Sequence, residues 1–389
     1  MSSVPTPAAK DSAGRRLRDF WARVTEGLEI EQLWGQLRSE AAASYGLYSK
    51  DVDWDAIKQQ PNKWKRPLLA AWALFQVMLM KLSPARRVLL LVAILMLVFQ
   101  GDIRWGGGGM RINLGAVGVL ILLLLLALEL ADRVTMKRDL EIAREIQQWL
   151  VPSQAPQVPG VDIAFATRPQ NTVAGDYYDA FLRPTVGAAP GSPSLILAVA
   201  DVAGKSVPAA LLMATFQASL RALAATPASL DEIVDGLDRY ARAHSLEGLR
   251  FTTAFLAELD PPARQMRYVN AGHNDPILLR SSGQVERLSI GGPPFGLPFS
   301  TNAEANYPSG LVQLQPGDLL FIFTDGVIEA VNDVEEEYGE KRLLVCLQAR
   351  PKDSPAANVL RQVMSDVNTF VGQVRQRDDI TCLVLRVTA

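Results

Sequence analysis

The sequence predicts an α+β protein in two unlike parts, a helical hairpin in a membrane followed by a layered αββα domain. Three observations carry that reading. All seven tryptophans (Trp21, Trp34, Trp54, Trp64, Trp72, Trp105 and Trp149) precede residue 150. Two nearly pure apolar runs, Val88 to Phe99 and Leu114 to Leu128, lie close together before that point. Beyond it, short β-type runs bounded by turns are interspersed with three longer helical patterns, and a chain of 389 residues has room for both parts.

Composition narrows the class. Lys and Arg number 39 against 41 Asp and Glu, and the net charge of -2 leaves no bulk electrostatic case for nucleic acid as a partner. An apolar content of 49% excludes an intrinsically disordered chain and prompts the search for membrane segments. Cys346 and Cys382 are too few for a disulfide framework and read as small buried residues of a reducing compartment. His244 and His273 are the sole histidines, so a three-histidine zinc site is excluded within one chain and metal chemistry must lean on oxygen ligands.

Residues 1–15 read as a disordered tail without the apolar stretch of a cleavable signal peptide. Residues 16–84 read as a cytoplasmic or interfacial helical region, with Phe20, Val24, Leu28 and Ile30 hinting at one amphipathic face. Residues 85–130 form the two-helix transmembrane hairpin. Its first run is twelve residues, short for a span, and lengthening it to include Leu82 or Gln100 forces Arg86 and Arg87 to snorkel. The second extends from Ile112 to Leu130, and Gly106 to Gly109 make a flexible turn between them. Pro67 to Met80 leaves a third span or an interfacial helix as the alternative, and a buried helical core in a soluble protein is another. Lys63, Lys65, Arg66, Lys81, Arg86 and Arg87 precede the hairpin, and Arg133, Lys137 and Arg138 follow it. Only Arg104 and Arg111 lie between. The positive-inside rule therefore places both ends, and the large C-terminal part, in the cytoplasm. The expectation is a multi-pass protein of the cytoplasmic (inner) membrane with lipid as one partner. Residues 131–152 continue as a linker helix ended by Val151-Pro152. Met136, Leu140, Ala143, Ile146 and Leu150 form an apolar seam on it, which a homodimer contact or packing onto the adjacent domain would equally produce.

Residues 153–389 form the last domain. Strand patterns cover Val161–Ala166, Leu195–Ala200, Ala254–Leu259, Gln265–Asn270, Ile277–Leu279, Leu311–Leu314, Leu319–Phe323 and Ile380–Val387, and helical ones Val207–Ala225, Ser229–Ala243 and Ala356–Val371. The order is α+β, not a repeated βαβ. Four aspartates stand at strand ends or in tight turns. Asp176 follows Ala174-Gly175, Asp201 closes LILAVA, Asp325 closes LLFIFT, and Asp378 precedes Asp379 and the final strand. Each alone is equally a turn or strand-end cap. Converging at one buried edge, they would repel unless divalent cations neutralised them, and all-oxygen sites suit magnesium or manganese.

Eight blocks then occur in one order: EIAREIQQWLVP at 141–152, NTVAGDYYDAF at 171–181, VADVAGKSVPAALLMA at 199–214, FTTAFLAELD at 251–260, RYVNAGHNDPILLR at 267–280, FIFTDGVIEAVN at 321–332, YGEKRL at 338–343 and RDDITCLVLRV at 377–387. With these, residues 140–389 resemble the PP2C-type (PPM) metal-dependent serine/threonine phosphatases. The likeness is to the bacterial branch of sporulation and stress-response phosphatases that regulates partner-switching pathways. The resemblance implies a four-layer αββα domain and two divalent cations, Mn2+ or Mg2+. It implies that Asp201 bridges both ions, Asp176 binds one, Asp325 and Asp378 bind the other, and the Val202 backbone carbonyl adds a ligand. A metal-activated water attacks phosphorus directly, with no covalent phosphoenzyme. The implied substrate is a phosphorylated protein, an anti-sigma-factor antagonist.

Supporting roles follow. Gly175 lets the chain approach the metal pocket, and Gly326 permits the turn after Asp325. Gly204, Lys205 and Ser206 lead into a helix N-terminus. Lys205 adds positive charge or is a solvated surface lysine, Asp179 accepts hydrogen bonds in the metal network, and Asp379 adjoins Asp378. His273, in the turn Asn270 to Asn274, is structural or a general acid. Ala174 and Ala200 stand where the family commonly has glycine, and the phosphate-gripping arginine of classical members has no secure equivalent. The leading expectation is a membrane-tethered phosphoprotein phosphatase. The alternatives are a catalytically silent signalling scaffold of the same fold and a metal-dependent small-molecule phosphohydrolase.

Overall fold

The computed structural model describes residues 52, 54, 57, 65–99, 101–105, 110–184, 193–245, 248, 250–297, 306–351 and 353–388. The expected tail at 1–15, nearly all of 16–64 and the turn at Gly106–Gly109 lie outside the described residues. The chain divides into two compact units, residues 1–132 and 133–389.

The first unit contains α1 (Arg66–Lys81), α2 (Pro84–Val98), β1 (Asp102–Trp105), β2 (Met110–Asn113) and the start of α3 (Leu114–Leu150). Proline at the first position of α2 holds Ser83 extended, φ -61° and ψ 152°, so the first apolar helix does not lengthen back to Leu82. At 15 residues it is about 22 Å long at ~1.5 Å per residue, short of a hydrocarbon core of about 30 Å. On either side of residues 106–109, the described residues between the apolar helices are strands. β1 and β2 pair antiparallel from Asp102 opposite Asn113 to Trp105 opposite Met110. α2 and α3 meet at Gly118, where a Cβ would stand 3.0 Å from the Ala93 carbonyl oxygen and 3.1 Å from Leu97. Arg86 on α2 joins Asp132 at 2.6 Å and Glu129 at 3.3 Å on α3. Among the described residues, two helices are long and apolar enough to cross a membrane, α3 and Ser206–Ala224. The second supplies core residues of the C-terminal domain. One membrane anchor candidate thus remains by that measure, and a multi-pass arrangement is not established.

In the second unit, one sheet contains β4 (Tyr177–Pro184), β5 (Pro193–Val202), β6 (Thr252–Asp260), β7 (Gln265–Ala271) and β10 (Gly291–Gly292) in the order β10-β7-β6-β5-β4, with β11 (Gly310–Gln313) also on β7. The other contains β3 (Val161–Arg168), β8 (Ile277–Leu279), β9 (Val285–Arg287), β12 (Leu319–Phe323) and β13 (Ile380–Val387) in the order β3-β13-β12-β8-β9. The sheets pack face to face through Leu195, Leu197 and Val199 of β5, Phe255 and Ala257 of β6, and Leu320, Ile322, Leu383 and Leu385 of the second sheet. Outside the first sheet lie α4 (Ser206–Ala224) and α5 (Leu230–Ala243), whose Met213, Phe216, Leu220, Ile233 and Leu237 cover Ala198, Ala200 and Leu256. Outside the second lie α6 (Gly339–Gln348) and α7 (Ala356–Val371), whose Leu343, Leu347, Val359 and Val363 cover Phe321, Phe323 and Val384. This is the expected α+β, four-layer αββα architecture. Central strands covered on both faces read as unbroken apolar runs, which is why LILAVA and LLFIF stood out in the sequence.

Candidate functional site

Sheet register builds the site from both halves of the sandwich. Tyr177 pairs with Ala200, so Asp176, one residue before β4, comes abreast of Asp201 near the end of β5. In the other sheet Phe323 pairs with Cys382, which sets Asp325 just past the end of β12 and Asp378 just before β13. The buried Thr324 ties the halves together. Its hydroxyl donates to Asp176 Oδ2 at 2.9 Å and accepts from the Thr381 amide at 3.0 Å. Gly326 is required by close approach, since a Cβ there would overlap the Asp379 carbonyl oxygen. Its φ is ordinary, so the expected need for a special turn conformation is replaced by a packing reason. At Gly175 a Cβ would stand 3.3 Å from the Ala209 side chain and 3.4 Å from the Val202 carbonyl oxygen, which fits the expected close approach.

Burial and neighbouring charge act on Asp176, Asp201 and Asp325. Burial, then the charge on Asp201, holds Asp176 well above the usual carboxylate range, with the Thr381 and Thr324 hydroxyls opposing. Burial, then Asp325 and Asp378, pushes Asp201 up to about 7. Burial, then Asp378, raises Asp325, and Lys205 opposes. Asp201 therefore stands electrostatically between Asp176 of its own sheet and the two aspartates of the other. Among the described residues, no three His, Cys, Asp or Glu side chains stand close enough to form a preformed metal cage. The donor set nevertheless suits hard divalent cations, being carboxylate oxygens plus an adjacent backbone carbonyl whose mutual repulsion a cation would relieve.

The neighbouring residues sort differently from expectation. Asp379 is buried, and its carboxylate accepts from the Gln170 and Gly175 amides, each at 2.6 Å, so it braces the loop carrying Asp176. Lys205 is not simply solvated. Its Nζ donates to Asp378 Oδ2 at 2.9 Å and to the Arg377 carbonyl at 2.8 Å, with the side chain 54% exposed. Gly204 adopts φ 114° and Ser206 φ 62° on either side of the extended Lys205, and together they turn the chain from β5 into α4. Asp179 is engaged by α4 and by its own strand. Its fully buried carboxylate accepts from Arg221 Nε at 2.7 Å, Arg221 Nη2 at 2.8 Å, Tyr177 Oη at 2.5 Å and its neighbour Ala180 N at 2.8 Å. Arg221, on α4, lies 3.9 Å over the Phe181 ring, so this pair clamps the helix to β4.

His273 is buried at the start of the 273–276 loop. Asn270 Oδ1 accepts from its backbone N–H at 2.7 Å, and its Nδ1 lies 3.1 Å from Thr253 Oγ1, whose strand residue pairs with Asp201. Burial lowers its pKa from 6.5 to about 4, so it is neutral at pH 7 and fits the structural reading, not that of a general acid. His244, on the exposed end of α5, contacts Tyr240 and takes no part. Both cysteines are buried, and burial pushes their thiols up, so neither is a nucleophile. Thr324, Thr381, Arg221 and Gln147 are the residues that sequence reasoning missed. A hydroxyl inside the apolar run LLFIFTDG was the one available signal.

Comparison with known proteins bears on the family and the fold. Residues 191–388, half of the chain, match the family model of Stage II sporulation protein E (SpoIIE), and the chain belongs to that family. Protein IcfG of Synechocystis is 27% identical over 288 residues, 67% of this chain and 43% of that one. Phosphoserine phosphatase RsbU of Bacillus subtilis is 27% identical over 250 residues, 64% of this chain and 70% of that one. The chain thus spans less than half the length of the first of these relatives. The SiaA-PP2C domain of Pseudomonas aeruginosa, 21% identical, superposes with a TM-score of 0.56 over 66% of this chain and 98% of that one. The C-terminal unit accordingly has the PP2C-like fold.

The buried imidazole gives a pH test. Its folded pKa lies below the unfolded value, so the stability it contributes is present above about pH 6.5 and is lost as pH falls toward about 4. In an NMR titration of the full chain, the His273 ring resonances are expected to stay flat from pH 8 down to about 5. Titration near 6.5 would contradict the burial.

Proposed function

We propose that the chain is a membrane-anchored, metal-dependent phosphatase that hydrolyses phosphoserine or phosphothreonine on a partner protein, an anti-sigma-factor antagonist of a partner-switching pathway. The observation that carries the chemistry is that strand register and the Thr324 bridge bring the Asp176–Asp201 end of one sheet to the Asp325–Asp378 end of the other. The substrate class rests on the family and on the name of the RsbU relative.

In this reading Asp176, Asp201, Asp325, Asp378 and the Val202 carbonyl would hold the two ions, with Asp201 shared between them. When bound, the Mn2+ or Mg2+ ions lower the pKa of water and neutralise charge on the phosphoryl oxygens. The chain's own part is placement. Thr324 fixes one oxygen of Asp176, and Asp379 holds the backbone on either side of that loop. Lys205, half exposed beside Asp378, places a positive charge at the rim where a phosphate dianion arrives.

The remaining parts are proposed as follows. Residues 85–130 anchor the chain, with the apolar start of α3 crossing the bilayer and α2 packed along it at Gly118. The pairing of Arg86 with Glu129 and Asp132 gathers charge at one end of the pair, beside the basic residues that the positive-inside rule places in the cytoplasm. Residues 131–152 form the linker helix, and 153–389 the catalytic domain. Met136 is 65% exposed and Ile146 48%, so these seam positions are not consumed by packing within the chain, which favours a homodimer contact.

The full chain in detergent, assayed on a phosphoserine protein, is expected to turn over with Mn2+ or Mg2+ and stop with chelator. Asp201→Asn and Asp325→Asn are expected to lower the rate by about 100-fold or more. Unchanged variants would overturn the reading, and turnover confined to small phosphate esters would favour the small-molecule phosphohydrolase. Silence of the full chain with metal would favour the scaffold. For the anchor, alkaline carbonate is expected to leave the chain in the membrane pellet, and its release would refute membrane insertion.

A further inference from the structure

The loop that carries Asp176 has almost no regular partner of its own. Residues 169–176 connect β3 to β4, and backbone groups there must find partners elsewhere or be lost to solvent. Two side chains supply them. Asp379 takes the Gln170 and Gly175 amides, and it belongs to the body of the domain beside Asp378. Gln147 takes the other attachment, and it belongs to α3. Its Nε2 donates to the Ala174 carbonyl at 2.9 Å, and its Oε1 accepts from the Ala174 amide at 3.0 Å. One side-chain amide thus satisfies both main-chain groups of one residue, as a neighbouring strand would. The closed pair fixes the backbone's direction as well as its position.

Ala174 stands two residues before Asp176, and Gly175 between them is held by Asp379. A small cleft of about 140 Å³ between the end of α3 and this loop is lined by Gln147, Thr172, Ala174 and Asp176. The neighbouring Trp149 is 81% exposed, so bulk packing at that position does not do the same work. From this geometry we propose that Gln147 is a positioning residue: through Ala174 it sets the backbone from which Asp176 projects, and so how tightly the site holds a divalent cation. Gln147 itself touches neither substrate nor metal. The inference rests on the reading of Asp176 and Asp201 as metal-holding residues, and it adds that the last turn of the linker helix is part of what forms the site.

The test uses the full chain in detergent, with Mn2+ alone as the probe. Calorimetric titration of Gln147→Ala is expected to show Mn2+ binding weakened about 10-fold, with the rate at saturating Mn2+ within about twofold of wild type. Gln147→Glu keeps the length but sets a carboxylate against the Ala174 carbonyl, and is expected to behave like Gln147→Ala. Glu145→Gln, two positions back, exposed and outside that cleft, is expected to leave binding unchanged. In the metal-free chain, hydrogen exchange at the Ala174 amide is expected to quicken about 10-fold in Gln147→Ala, while amides of β5 and β13 keep their protection. Exchange and Mn2+ affinity unchanged in Gln147→Ala, with Asp201→Asn abolishing Mn2+ binding, would overturn this inference alone. Wild type and Asp201→Asn equally blind to Mn2+ would overturn the metal site instead, and the exchange rate would still decide whether Gln147 holds the loop. Loss of protection throughout the domain in Gln147→Ala would count against a positioning role.

Discussion

Carboxylates set side by side in a half-buried pocket repel one another, and the C-terminal domain places four of them at one end of its sandwich. Two hydrogen-bonded ladders hold them there. The β4–β5 register delivers Asp176 beside Asp201, and the β12–β13 register delivers Asp325 near Asp378. Apolar packing between the sheets then brings one pair to the other. The repulsion appears in the raised pKa values of Asp176, Asp201 and Asp325, whose charged forms are disfavoured by burial and by one another. A fold that accepts this cost must brace the segments that carry the aspartates, and the residues around them do so. Thr324 and Asp379 spend their polar groups on the Asp176 loop, and Gly326 gives up its side chain so that the second sheet's two acidic segments can touch.

Much of this was legible in the sequence, for identifiable reasons. β5, β12 and β13 are buried on both faces and announce themselves as apolar runs ending at or near an aspartate. α5 carries its own start signal, since Ser229 and Glu232 form a reciprocal capping box. β4 was hidden because Asp179 and Arg183 interrupt its apolar pattern. Both are buried and paired, Asp179 with Arg221 and Arg183 with Glu258, and no local pattern announces a partner that lies far along the chain. α6 was missed because its first turn is charged and it is only ten residues long. The convergence of the aspartates was inferable only by resemblance, since strand order decides it and spacing does not. Gln147 gave no signal at all. It is an ordinary helix-surface residue until the loop that it holds is in place.

The last turn of α3 meets the loop that leads to Asp176 through Gln147 and Ala174. α3 is continuous from Leu114 to Leu150, so one helix leaves the apolar segment and ends at the backbone that carries Asp176.

The central claim is that Asp201 lies between two cations held by aspartates of opposite sheets. Anomalous diffraction at the manganese edge from crystals grown with Mn2+ tests it directly. The account predicts two peaks roughly 3.5–4 Å apart, flanking Asp201, one beside Asp176 and the other beside Asp325 and Asp378. An absence of peaks at these aspartates in an Mn2+-saturated crystal, or manganese bound elsewhere, would contradict it.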